Sequence, residues 1–254
     1  MFSYSHFISR TCTMYCLFVV NCYGQNIEQL SALKNDVLME YTAHYDVYRK
    51  GDKHGKALRR LSSDDHSLYT LTFKTDASIY FYSINTEESS QFLYENNQIK
   101  PMKYLGKDER TLRKTKHKTI EFDYTKGVVL GREKEKEWSL PLEDNTFDPL
   151  LVIEKMRCDI QNKIQGSKYF AYDKSSVKTY LFEYSGRETI KTPMGDIDTL
   201  KVSRVRENSS RKTHFWLSVE HNYIPFRVKQ ENDGEEVATL ELTKLLIPAM
   251  KHNS

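Results

Sequence analysis

The sequence predicts a mainly β protein: an antiparallel curled sheet or open β-barrel with one amphipathic helix packed against it. Short alternating runs of apolar and polar residues recur roughly every eight to twelve residues with polar turns between them, the pattern of a sandwich or barrel. Aromatic residues make up 12% of the chain, and many fall in that alternating register, as pleated, half-buried strands favour. Only one stretch, 148–163, carries a wide apolar face at clear helical spacing behind a residue suited to cap it.

The elements follow in order. Residues 1–24 read as a secretory signal peptide. Arg10 precedes an apolar run, Met14 to Val20, that is too short to span a bilayer, and Cys22 and Gly24 are small residues before a cleavage at Gln25. A lipoprotein would instead be modified at Cys22, but Asn21 fits poorly just before a lipidated cysteine. Cleavage would remove Cys12, Cys16 and Cys22 and leave Cys158, so no internal disulfide is expected and Cys158 reads as a buried apolar residue. Ile27, Leu30, Leu33 and Val37 then suggest an N-terminal arm or short helix over 25–41.

A single β-rich domain is expected over 42–247. Ala43, Tyr45 and Val47 alternate, and Gly51 to Gly55 reads as a turn. Ala57 to Leu61, then Tyr69, Leu71 and Phe73, supply the next strands, and Ile79 to Ile84 is dense in Tyr and Phe. Ser90, Phe92 and Tyr94 lead to an Asn96-Asn97 turn and a strand from Ile99 to Leu105. Ile120, Phe122 and Tyr124 alternate again, and Pro141 interrupts the stripe of Trp138, Leu140 and Leu142. Asp148 is placed as the helix N-cap and Pro149 as its first residue. Leu151, Val152, Ile153, Met156 and Ile160 give a face wide enough to need a sheet beneath it. Tyr180, Phe182 and Tyr184 share a face before Gly186 breaks their strand. Thr192 to Gln230 forms a three-strand unit, with Pro193 and Gly195 in its first turn and His221-Asn222 in its last. Gly234 turns the chain into a last strand carrying Ala238, Leu240 and Leu242, and 248–254 is a polar, loose tail.

The charge balance narrows the partners. With 38 basic and 35 acidic residues the formal charge is +3, which argues against a dedicated nucleic-acid binder. Gly51-x-x-x-Gly55-Lys56 is one residue short of a phosphate loop, and Ala57 stands where a hydroxyl would hold magnesium. Neither a G-x-S-x-G elbow nor an H-E-x-x-H pair is present, and the histidines are scattered singly, so no cofactor or metal site is expected. Two basic clusters stand out. One runs through Lys100, Lys103, Lys107, Arg110, Arg113, Lys114, Lys116 and Lys118; the other comprises Arg204, Arg206, Arg211 and Lys212. Arg204 and Arg206 alternate on a strand and share a face, where guanidinium groups suit anionic lipid headgroups or polymers. Their alternative role is a charged outer face that protects strand edges from pairing. Aromatic residues such as Trp216 and Tyr223 serve either a groove for an apolar chain or the core. Arg204, Arg206, Arg211, Trp216, Tyr223 and Arg227 are the candidate ligand or surface contacts.

The order Thr192-Pro-x-Gly, an acidic-aliphatic pair, Thr-x-Lys-Val, Arg-x-Arg, a Trp-Leu strand and Tyr-Ile-Pro-x-Arg resembles the exported bacterial "domain of unknown function 3108" family. YDVYRKGDKHG at 45–55, FDYTKG at 122–127 and WSLPL with DPL across 138–150 extend the likeness over nearly the whole chain after the leader. The resemblance implies a mostly antiparallel β envelope protein, with no activity established and no catalytic residues to carry over. The expected function is non-enzymatic binding, in the periplasm, of an apolar or anionic envelope ligand such as a lipid or an anionic polymer. The alternative is a structural or interaction module contacting envelope proteins or peptidoglycan. An enzyme would need carboxylates such as Glu183 or Asp196 to converge in a cleft.

Overall fold

The computed structural model describes residues 38–64, 67–164 and 166–248. The leader, the cleavage before Gln25, lipidation at Cys22, the periodic residues Ile27 to Val37 and all but the first residue of the tail lie outside the described residues. Two compact units divide the chain, 1–38 and 39–254, and the strands and helix that follow belong to the second.

Its first half is a run of hairpins: β1 (Tyr41–Arg49), β2 (Asp52–Ser63), β3 (Leu68–Ile79), β4 (Tyr82–Glu95), β5 (Gln98–Arg110), β6 (Lys116–Asp123), β7 (Val128–Glu133) and β8 (Lys136–Pro141). The short β9 (Thr146–Phe147) leads into helix α1 (Leu151–Gln161) and then β10 (Lys168–Asp173). A second run of hairpins follows: β11 (Ser176–Thr192), β12 (Gly195–Val205), β13 (Lys212–Ser218), β14 (Pro225–Asn232) and β15 (Glu235–Leu246). All fifteen strands form one sheet, ordered β8 to β1, then β15 to β9. The two runs of hairpins join where β1 pairs with β15.

Every pairing is antiparallel except β9 with β10. A parallel pair requires a crossover, and α1 is that crossover. The helix therefore lies on one face of the sheet, which curls around it. β8 and β9 do not pair, so the sheet is not closed into a barrel. Side chains draw its two flanks together instead. Lys118 Nζ meets Asp173 Oδ1 at 2.5 Å, Phe122 and Tyr172 pack edge to face with centroids 5.7 Å apart, and the Tyr172 hydroxyl donates to Pro141 O at 2.7 Å.

Local expectations meet three corrections. Asn96 and Asn97 do form a tight turn, both with positive φ, as the favoured two-residue hairpin requires. Gly186, however, does not end its strand: it has φ +95° and makes a bulge within β11, where the register shifts between Tyr184 and Gly186. The helix starts later than expected, with Leu150 in the cap position and no side-chain cap of its own. Asp148 still supplies the cap chemistry, accepting from Leu150 N at 2.9 Å and Leu151 N at 3.0 Å.

The third correction is Gly55, which lies inside β2 and not in a turn. It faces Val47 beside a register shift and pairs with Ala77. A Cβ there would meet Asp76 O at 2.1 Å and the Ala77 Cα at 2.5 Å, both backbone atoms. Backbone cannot rotate aside as a side chain can, so Gly55→Ala is expected to cost about 1–3 kcal/mol. Urea unfolding should show a lowered midpoint with unchanged slope; an unchanged midpoint would mean that the strands part freely here.

Candidate functional site

Between the entry to α1 and the inner face of the sheet lies a half-open groove of about 270 Å³, near the small end of the range for ligand pockets. Pro149, Leu150 and Ile153 form its helical wall, and Phe73, Phe215, Val228 and Leu240 its apolar floor. Strand register explains the floor, because directly paired residues of antiparallel strands share a face. Phe215 pairs with Val228 and Val228 with Leu240, so one apolar row crosses β13, β14 and β15. The next row is polar at one end: Arg204 pairs with Thr213, Thr213 with Gln230, and Gln230 with Ala238. The last three line the groove, which places Arg204 beside its end.

Arg204 lacks a full set of partners. Its guanidinium carbon stands 3.5 Å from the centre of the Tyr180 ring, and its Nε is buried without a hydrogen bond. Burial lowers its pKa from the ordinary value; Tyr180 and, to a smaller extent, the Asp173 carboxylate oppose this, and the neighbouring Arg206 adds to it. Arginine nevertheless stays protonated in proteins, so this is a cation that would gain from an anionic partner. Three other polar side chains of the groove, Glu88, Tyr45 and Arg59, are already engaged. Glu88 accepts from the Tyr104 hydroxyl at 2.6 Å, and the Tyr45 hydroxyl donates to Pro225 O at 2.8 Å. Arg59 donates to Tyr41 Oη at 2.8 Å and to Glu154 Oε2 at 3.1 Å.

Behind the groove, α1 is anchored by charge as well as by apolar packing. Glu154 is fully buried between Arg59 and Arg157, and Arg157 Nη1 also donates to Asn222 O at 2.6 Å. Cys158 is buried on the same helix, and its thiol is pushed up to about 12, chiefly by burial. That is the environment of an inert packing residue, not a nucleophile.

The six sequence-selected residues do not converge. Arg204 lies by the groove, while Arg206 and Arg211 are exposed at the β12–β13 connection. Trp216 and Arg227 pair with each other on the opposite face of the sheet from Phe215 and Val228. There Trp216 is buried and donates through Nε1 to Glu188 Oε1 at 2.6 Å. Lys201 and Arg227 lie over its ring at 5.0 and 5.6 Å, and Arg227 is held by Glu241 and Lys191 O. Tyr223 sits in the turn before β14 with φ +56°. Glu183 and Asp196 are both exposed.

On that outer face Ser203 Oγ and His214 Nδ1 are 2.7 Å apart, and His214 Nε2 lies 3.3 Å from Glu231 Oε2. The trio has the residue types of an acyl-transfer site. It sits mid-strand, however, where the β12–β13 and β13–β14 ladders occupy the backbone N–H groups that would have to stabilise an oxyanion. Among the described residues no three His, Cys, Asp or Glu side chains are grouped to hold a metal ion, and no helix is long and apolar enough to cross a membrane.

The chain's sequence matches the family described as "Protein of unknown function (DUF3108)" over residues 40–243. No curated protein matches it. Among solved structures it is similar to a β-barrel-like protein of the domain of unknown function DUF1849 from Brucella abortus. The two share 13% identity over 84% of this chain and 99% of that one, with a TM-score of 0.57. A candidate lipoprotein from Parabacteroides distasonis aligns over 82% of this chain and 96% of its own at 13% identity and a TM-score of 0.34. A DUF1329 family protein from Desulfovibrio piger covers 87% of this chain and 90% of its own at 9% identity, with a TM-score of 0.26. The first of these likenesses bears on the fold.

Proposed function

The chain belongs to the DUF3108 family, and from that premise we propose that it is an exported periplasmic protein that binds an amphiphile with an apolar chain and an anionic head. The chain would lie in the groove against Phe215, Val228 and Leu240, and the head would meet Arg204. The observation that carries the reading is the unbroken row from Arg204 through Thr213 and Gln230 to Ala238, which joins an under-partnered cation to an apolar slot. Burial of apolar chain supplies affinity, and a charge-assisted hydrogen bond to the guanidinium fixes its direction. The apolar run Met14 to Val20, which follows Arg10 and is too short to span a bilayer, supports export.

Titration of the full chain with 11-(dansylamino)undecanoic acid tests this. Emission should rise and shift to the blue with saturable binding. Val228→Trp, which fills the slot, should abolish the uptake. Arg204→Gln should weaken it about tenfold, as expected when a hydrogen bond to a charged group is lost. Absence of uptake, or uptake indifferent to Val228→Trp, would overturn the groove reading. Uptake indifferent to Arg204→Gln alone would overturn the anionic head.

A further inference from the structure

Two hairpin tips present bulky apolar side chains almost entirely to solvent. Tyr80 and Phe81, at the β3–β4 tip, are each 96% exposed, and Leu112, at the β5–β6 tip, is 100% exposed. The tips are fastened to each other: Ser83 N donates to Thr111 Oγ1 at 2.8 Å, and Thr111 N donates to Ser83 O at 3.2 Å. Tyr80 and Leu112 also have φ of +53° and +60°, a region that bulky residues rarely occupy. A single exposed apolar residue needs no explanation. Three on two joined tips, two of them in a costly backbone conformation, ask for one.

The charges around them are uneven. Within the first basic cluster, Lys103 pairs with Glu121, Lys107 with Glu109, Arg110 with Asp108 and Lys118 with Asp173. Arg113, Lys114 and Lys116, which follow Leu112 directly, form no ion pair among the described residues. Lys100, at the far end of β5, lies over the Tyr124 ring; the rest of the cluster's unpaired charge is concentrated beside the apolar tips. Aromatic rings favour the headgroup level of a bilayer, leucine favours the acyl boundary below it, and basic side chains favour anionic lipid. The tips are convex, so a deformable layer fits them better than a preformed protein pocket.

We propose that the β3–β4 and β5–β6 tips dock the protein on an anionic lipid bilayer surface, with Tyr80, Phe81 and Leu112 entering the interface and Arg113, Lys114 and Lys116 meeting the headgroups. This contact is separate from the groove and does not depend on it.

The test uses the full chain carrying Phe81→Trp, with the wild-type emission subtracted so that only the introduced indole is read. Vesicles of phosphatidylcholine and phosphatidylglycerol, with bromine on the acyl chains, should quench and blue-shift it. Pure phosphatidylcholine vesicles should not, and high salt should reverse the effect. Tyr80→Ser with Leu112→Ser in that background should weaken binding at least tenfold. Arg113→Glu with Lys114→Glu should do the same, since each basic residue near such a surface counts for about a fivefold change. Equal quenching by neutral and anionic vesicles, no quenching by either, or indifference to both double variants would overturn the proposal. Uptake of the dansyl fatty acid by the tip variants should match wild type, so failure here and failure of the groove are read separately.

Discussion

Replacing Glu154 with glutamine is expected to remove about 3–5 kcal/mol of stability, the cost of leaving a buried charge without its partner. That is a large share of the roughly 5–15 kcal/mol that holds most domains together. Glu154 is 0% exposed and Arg157 1%. The carboxylate takes Arg157 Nε on Oε1 at 3.0 Å and Arg59 Nη2 on Oε2 at 3.1 Å. Burial alone would push its pKa up; the charges of Arg157 and Arg59 overcome this and hold it below the ordinary carboxylate value. Glutamine is isosteric but neutral, so two guanidinium groups would face one amide that cannot balance either. Because the folded pKa is depressed, the stabilisation is present above the unfolded value and lost as pH falls through the folded one. Urea unfolding at pH 7 reads the loss. A companion variant separates charge from shape: Arg59→Met, Glu154→Leu and Arg157→Met together remove the whole network and should recover much of the stability. If Glu154→Gln unfolds at the wild-type midpoint, the network does not hold α1 in place.

This cluster also shows where sequence reasoning stopped. The strands were legible because each has one buried and one wet face, so Tyr41, Ala43, Tyr45 and Val47 are buried while their neighbours are not. The helix was legible for its apolar residues alone. Its opposite arc reads as an ordinary polar face, Glu154 with Arg157 three residues on, and nothing local says that a sheet will curl over it. Burying that arc needs Arg59, nearly a hundred residues upstream, and only the fold brings it there. A charged pair on a short helix flanked by apolar neighbours was the available signal. The groove was half legible: alternation gave its floor, but the pairing of Arg204 with Thr213 depends on register across a hairpin whose connection, 206–211, has no apolar pattern to set it. Trp216 misled for the same reason, since alternation puts it opposite Phe215 without saying which side is inner.

Asp148 should give the protein an unusual response to pH, with stability falling as the solution moves from mildly acidic to neutral. Its side chain is buried at the mouth of α1. Oδ1 accepts from Leu150 N, Leu151 N and Ser90 Oγ, while Oδ2 has no partner. Burial raises its pKa to about 7; these hydrogen bonds work against the rise, and the charge of Glu88 adds to it. The unpartnered oxygen is where a proton would sit without disturbing the cap. An unfolded aspartate titrates near 3.8, so between there and about 7 the native state holds more proton than the unfolded chain. Stability is then fully present below the lower value and lost as pH rises through the upper one, by at most about 4 kcal/mol at 1.36 kcal/mol per unit. Asp148→Asn keeps the accepting oxygen and removes the titration. Subtracting its urea-midpoint profile from that of wild type cancels every group the two proteins share. The difference should change across pH 4 to 7 and level off above, with the variant the more stable at pH 8; parallel profiles would refute the assignment. The same proton bears on the groove, because Pro149 and Leu150 of its helical wall follow Asp148 directly. Loosening of the wall when Asp148 ionises would make uptake of the dansyl fatty acid weaken over the same pH interval in wild type and hold steady in Asp148→Asn.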